Sequence, residues 1–206
     1  SGSGKTEATK LMMKFVLDKV TTLKKDHFHR SLGVNLTATS VVLEAFGHCS
    51  TTDNRNSSRA STYYKIFFDR SVKIQQIHGI QVSSYLFDKS RVHSQGVNEG
   101  NFNIFHEMLK GMDRKWQSKL LLTSPSASFT AARTVSFKYL LNNPQYGVVD
   151  KEGKDVNINT NTNTNTQSIH VFSNLQHSLS SIGMKTDAQF ELFRLLACVL
   201  HMGNIS

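Results

Sequence analysis

An α/β fold is what this sequence predicts, and three observations carry the prediction. The chain opens Ser1-Gly2-Ser3-Gly4-Lys5-Thr6, the back end of a G-x-x-x-x-G-K-[ST] loop without its first glycine. Glu7-Ala8-Thr9-Lys10 then runs straight into a helical pattern. Further on, segments 62–68 and 72–82 are rich in aromatic and β-branched residues and flank Asp69-Arg70-Ser71, which reads as an antiparallel hairpin.

The loop chemistry needs these residue types. Gly2 and Gly4 reach positive φ and carry no Cβ, so backbone N–H groups, with those of Ser1 and Ser3, can converge on phosphate oxygens. Lys5 supplies a point charge for β and γ phosphates, and Thr6 a hydroxyl for Mg²⁺. The helix behind the loop adds its N-terminal partial charge. Residues 6 to about 24 are expected to form it, with Ala8, Leu11, Met12, Phe15 and Val16 on one stripe.

Residues 26–37 are polar and read as an irregular surface connection. Val41 to Phe46 reads as helix, because Leu-Glu-Ala dominates it. Residues 49–61 are rich in Ser, Thr and Asn and read as a loop. After the hairpin, residues 101–112 form a helix with Phe102, Phe105, Leu109 and Met112 on one side. Residues 114–150 are mixed. Residues 151–167 are expected to be a low-complexity surface insertion, since the Asn-Thr repeat at 159–166 holds no apolar residue. On that ground 157–167 are expected to lie on the surface without regular structure. Segments 171–182 and 187–202 read as helices, the second apolar almost all round and therefore expected to be buried.

Composition narrows the class. At 206 residues and 38% hydrophobic content the chain can bury a core. No apolar run of about 18 residues exists, so no membrane span is expected. Cys49 and Cys198 sit in unrelated contexts, as in a reduced cytosolic setting. The net charge of +9 is scattered rather than clustered, which favours a solvated surface over a nucleic-acid interface. The nine histidines show no metal spacing, and His106-Glu107 lacks the second histidine of H-E-x-x-H.

A second constellation lies at Asn54-Arg55-Asn56-Ser57-Ser58-Arg59. Small hydroxyls beside an arginine suit an ion-bound phosphate: a serine completes a Mg²⁺ shell, its neighbour holds the attacking water, and the arginine fork grips a carboxylate. By itself the pattern also fits a polar surface loop.

The order of motifs resembles the myosin motor domain. Val42-Leu43-Glu44-Ala45-Phe46-Gly47 followed by Asn54 to Arg59 is similar to L-E-A-F-G-N-A and the N-x-N-S-S-R of switch I. Tyr85-Leu86-Phe87-Asp88-Lys89-Ser90-Arg91-Val92 resembles Y-L-L-E-K-S-R-V, and Glu99-Gly100-Asn101-Phe102-Asn103-Ile104-Phe105 resembles E-R-N-Y-H-I-F. Leu196 to Ile205 is similar to L-A-A-V-L-H-L-G-N-I. The resemblance leaves out only about residues 114–168. Kinesins share the loop and switch but space them about twice as far apart and lack the other segments.

The resemblance implies a partial P-loop NTPase of the myosin motor type, with helices around part of a central mixed β-sheet that includes the hairpin. The segment would run from within the P-loop to before switch II, as a fragment of a divergent unconventional myosin. It implies ATP and Mg²⁺ as cofactors, ATPase activity in the full-length protein, and actin filaments as a partner through parts outside this segment. Light chains or calmodulin are left open for the full-length protein, and the setting would be the actin cytoskeleton of the cytoplasm. Carried over by position, Lys5 contacts the β and γ phosphates, Thr6 and Ser58 complete the Mg²⁺ shell, and Asn54 and Ser57 line the phosphate and water pocket. Arg59 would pair with a switch II glutamate.

Three departures bear on activity. Ala60-Ser61-Thr62 stands where the family has Phe-Gly-Lys, Gly100 replaces an arginine, and His48 replaces an asparagine. The first, beside switch I, motivates an alternative to the motor: a nucleotide- and actin-binding tether with weak or no ATPase activity. The isolated segment is expected to be inactive, because switch II lies outside it.

Overall fold

The structure is a computed structural model that describes residues 3–23, 27–69, 76–123, 136–141 and 162–205. Helix α1 (Lys5–Leu23) leads into α2 (His27–Gly47). Short strands β1 (His48–Cys49) and β2 (Ser57–Ser58) pair antiparallel, and β3 (Ser61–Asp69) pairs antiparallel with β4 (Gln76–Tyr85). Helices α3 (Asn103–Gly111), α4 (Arg114–Lys119), α5 (Thr162–Ser181) and α6 (Thr186–Gly203) complete the order.

The core lies among α2, α3, α5 and α6. Phe105 and Met108 of α3 meet Phe172, Leu175 and Leu179 of α5, and Phe193, Ala197 and Leu200 of α6 close the cluster. These positions recur at helical spacing, so each helix turns one apolar side inward. A smaller cluster joins α1 to the hairpin: Leu17 and Ile77 are buried, with Leu32, Leu36 and Ile80 packed around them.

Local chemistry sets several boundaries. Asp113 caps α4 by accepting from the Trp116 N–H at 3.0 Å. After α5 ends, Gly183 takes a φ of +95°, and the Met184 N–H returns to the Leu179 carbonyl at 2.9 Å. Buried Gln189 then clips the turn, its Nε2 donating to the Gln176 carbonyl, Ser180 Oγ and the Met184 carbonyl.

Five expectations need correction. The expected central mixed sheet is not seen among the described residues; the strands form only two separate two-stranded pairs, and most described residues are helical. A strand joins a sheet only where a neighbour can satisfy its free N–H and C=O groups, and among the described residues β3 finds only β4. Residues 27–37, expected to be irregular, belong to α2. Leu32 and Leu36 lie one turn apart there and pack against the Leu17–Ile77 cluster, so tertiary burial overrides the polar local sequence.

Residues 162–167, expected to lack regular structure, are the first turns of α5; residues 157–161 lie outside the described residues. Extending a helix already fixed by packing adds one hydrogen bond per residue ordered, so weak helix formers can join it. Finally, α6 is not buried all round. Phe193, Ala197 and Leu200 are buried, but Leu195 is 64% and Met202 57% exposed. Likewise, Leu11, Met12 and Phe15 of the predicted α1 stripe are exposed, while Met13 and Leu17 turn inward. Both sides of α1 carry apolar residues, so periodicity alone does not select the buried one.

Candidate nucleotide-binding site

Ser1 and Gly2 lie outside the described residues. Gly4 has a φ of +76°, and a Cβ built on it would meet nothing within 4 Å. A side chain there would be strained by the backbone angle, and the space above the turn is open. Lys5 begins α1, and its Nζ donates to Ser3 Oγ at 2.7 Å, so the ammonium lies over the loop. Thr6 sits exposed in the first turn. The Ala8 N–H donates to the Gly4 carbonyl at 2.8 Å, which makes the loop continuous with the helix.

Lys10, one turn further, forms ion pairs with Glu7 at 3.0 Å and with Glu44 of α2. The second pair brings α1 to the end of α2, three residues before the chain leaves for β1. The second motif follows at once. Pairing His48 with Ser58 and Cys49 with Ser57 closes residues 50–56 into a loop.

That loop is held from within. The Thr51 N–H and hydroxyl donate to the Asn54 carbonyl at 2.9 and 3.0 Å, and Asn54 Oδ1 accepts from the Asn56 N–H at 3.0 Å. Asn56 Oδ1 in turn lies 3.0 Å from His48 Nδ1 and 3.4 Å from Asn103 Nδ2. The loop is also tied to the α3 approach, where the Gly100 N–H donates to the Ser50 carbonyl at 2.8 Å. Burial holds the His48 imidazole below its ordinary pKa, with Lys10 acting in the same direction against the Asn56 contact. The Lys10–Glu44 pair is the contact that brings α1 to the helix leading into this loop.

The serines differ. Ser57 is buried, whereas Ser58 is exposed and its Oγ donates to the Ala60 carbonyl at 2.7 Å. No hydrogen bond among the described residues joins Thr6 to Ser58.

Arg59 has a partner that sequence reasoning missed. Its Nη2 and Nε donate to Asp88 Oδ2 at 2.8 and 3.2 Å. Arg91 Nε reaches the same oxygen at 3.3 Å, and Ser90 Oγ donates to Oδ1 at 2.7 Å. The Ser90 hydroxyl and both arginines hold the Asp88 carboxyl down to about 2. Arg91, itself buried, continues to Glu99 Oε2 at 2.9 Å. The hairpin register carried the missing signal. Ser61 pairs with Tyr85, so two steps outward Arg59 falls beside residues 87–88.

Two further motifs turn out to hold the fold. Asn101 is buried; its Nδ2 donates to the Val92 and Tyr139 carbonyls and its Oδ1 accepts from the Phe102 N–H. Asn204 accepts from the Lys138 N–H at 2.8 Å and donates to the Ser136 carbonyl at 2.9 Å, while Gly203 lies against the Tyr139 ring.

A family model for the myosin head (motor domain) matches residues 1–206. This chain belongs to the myosin head family. Among curated relatives, this myosin head segment is 32% identical to Myosin-2B of Naumovozyma castellii, over 100% of its own length and 13% of that protein's. It is 32% identical to Myosin IB heavy chain of Dictyostelium discoideum and 29% identical to Myosin heavy chain 95F of Drosophila melanogaster, covering 16% of each. The segment thus spans about a sixth or less of these relatives' lengths. Among the described residues no helix is long and apolar enough to cross a membrane.

Proposed function

We propose that this myosin head segment is the nucleotide-binding part of an actin-based motor that couples Mg-ATP hydrolysis to movement on actin filaments. The observation that carries the reading is the family match over residues 1–206, joined to a Gly-Lys-Thr turn and a switch-like loop on neighbouring elements. Ser1 to Thr6, with Asn54, Ser57 and Ser58, would bind the nucleotide. The residues suit such a ligand: Gly4 leaves its turn open, Lys5 lies over it, and hydroxyls stand at Thr6 and Ser58.

When bound, Mg²⁺ would neutralise phosphate charge and take Thr6 and Ser58 as protein oxygens. Lys5 would hold the β and γ phosphates. Asn54 and Ser57 would orient the attacking water, and Arg59 would close the site by pairing with a switch II carboxylate. Catalysis of this kind rests on position and charge, without a covalent protein intermediate. The setting is the actin cytoskeleton, and actin would be engaged through parts outside residues 1–206.

A second reading, a nucleotide- and actin-binding tether with weak or no ATPase, is favoured by Ala60-Ser61-Thr62. Small and polar side chains there remove an apolar anchor beside the switch. The test uses the full-length protein: ATPase turnover with and without filamentous actin, for the wild type and Lys5→Ala. Turnover stimulated by actin and lost in the variant is expected. Nucleotide binding without stimulation would select the tether, and unchanged nucleotide affinity in Lys5→Ala would overturn the P-loop assignment.

A further inference from the structure

We propose that Asp88 is a tether for the Arg59 side chain, holding the Asn54–Arg59 loop in the arrangement described above against nucleotide-driven closure. The argument begins with geometry. The Nε and Nη2 edge of a guanidinium is the face that grips a carboxylate, and Asp88 Oδ2 already occupies both donors, at 3.2 and 2.8 Å. Arg59 cannot offer that edge to another acid without leaving Asp88.

Asp88 is itself fixed from several sides. Ser90 Oγ holds Oδ1, Arg91 shares Oδ2, and the Asp88 N–H donates to the Arg59 carbonyl at 2.9 Å. The two segments are therefore joined through backbone and side chain together. Both members of the ion pair keep some solvent access, with side-chain exposures of 30% and 27%. A pair of this kind is strong enough to set a resting arrangement and weak enough to be exchanged.

Arg91 does not depend on Asp88 alone, since its Nη1 also donates to Glu99 and to the Gly100 carbonyl. Neutralising Asp88 should therefore free Arg59 while leaving the buried arginine compensated. The tether deepens the nucleotide-binding reading and rests on it for its effect on closure. Its effect on the loop does not need nucleotide.

The experiment uses the full-length protein and two readouts. The first is amide hydrogen exchange over residues 54–58 without nucleotide. Asp88→Asn should speed exchange about two- to fivefold, the range a partly exposed ion pair supports. Asp88→Glu, which keeps the charge on a side chain one methylene longer, should not. Unchanged exchange in Asp88→Asn, or an equal gain in Asp88→Glu, overturns the tether. If Asp88→Asn does not fold, Ser90→Ala removes the hydroxyl that orients the carboxylate. It should give a smaller gain in the same direction, and no gain overturns the proposal.

The second readout is titration with a fluorescent ATP analogue. Asp88→Asn should bind it about two- to fivefold more tightly, because closure no longer breaks the pair. A merely structural role would weaken binding instead. Faster exchange with unchanged or weaker affinity overturns the claim that the tether opposes closure. Lys5→Ala separates the two readings. Loss of binding there supports the nucleotide site, whereas a wild type that binds no nucleotide overturns that site and with it the claim about closure. The exchange result then decides the tether by itself.

Discussion

Gly111 of α3 lies against Phe172 of α5 with no room for a methyl group between them. A Cβ on Gly111 would collide with Phe172 Cβ and approach the Ser168 carbonyl oxygen to 2.5 Å. The contact sets how closely these two core helices can approach. Gly33 of α2 is the opposite case, with nothing within 4 Å of a built Cβ. Gly111→Ala should therefore destabilise the fold by about 1–3 kcal/mol through overpacking. Gly33→Ala should stabilise it by about 0.5–1 kcal/mol through helix propensity. Thermal melts of the two variants check this; equal shifts would show that the α3–α5 approach is not tight.

Asn101 should matter as much as any core hydrophobe. It joins the Val92 and Tyr139 carbonyls to the start of α3. Asn101→Leu keeps the bulk but removes the donor to two part-buried carbonyls and leaves the buried Phe102 N–H without its partner. The expected cost is about 1–3 kcal/mol, read from denaturant unfolding. Asn103→Leu, one helical position outside the buried clasp, serves as the comparison and should cost less.

Glu107 predicts a pH dependence with a definite sign. Burial raises its carboxyl to about 7 from an ordinary 4.5. The folded state then holds a proton that the unfolded state has released, so this group's contribution to stability is present below about 4.5 and is lost as pH rises towards 7. Its surroundings include Lys110 and His106 on α3, Arg55 in the switch-like loop and Glu44 of α2. His106 acts oppositely, because burial lowers it to about 3 and its contribution is lost as pH falls below 6.5. Glu107→Gln should therefore gain stability relative to the wild type as pH rises from 5 to 7.5, by about 1–3 kcal/mol. A difference that stays flat with pH would contradict the assignment.

The two cysteines should react at very different rates. Cys49 is fully buried between the switch-like loop and Phe102, and burial raises its thiol above the ordinary value. Cys198 is exposed on α6. Native-state alkylation followed by mass spectrometry should label Cys198 first, with Cys49 labelled only as the fold opens. Equal labelling would mean that the β1–β2 loop opens readily.

Much of this was legible in the sequence, for identifiable reasons. The α1 start, the β3–β4 hairpin, α3 and the extent of α6 follow from local signals: a Gly-Lys-Thr turn, aromatic-rich strands, a helical apolar period. Residues 27–37 were not legible, because what makes them helical is the fit of Leu32 and Leu36 against Leu17 and Ile77, which no local pattern encodes. The outward turn of Leu11 and Phe15 was hidden for the same reason. At the site, Lys5 and the Asn54–Arg59 loop were readable as residue types. The Asp88 partner was not, because it needs the hairpin register to bring residue 88 to residue 59.

The start of α5 inside the Asn-Thr repeat has a genetic consequence. The core contacts of that helix begin at Ser168 and Phe172 and continue through Leu175 and Leu179. Every repeat unit lies upstream of them. Gain or loss of Asn-Thr pairs changes how much chain precedes the packed turns, yet leaves the packed residues at the same angles around the helix. Replication slippage in such a tract would thus be silent towards the core, and alleles of different repeat length should share one folded head.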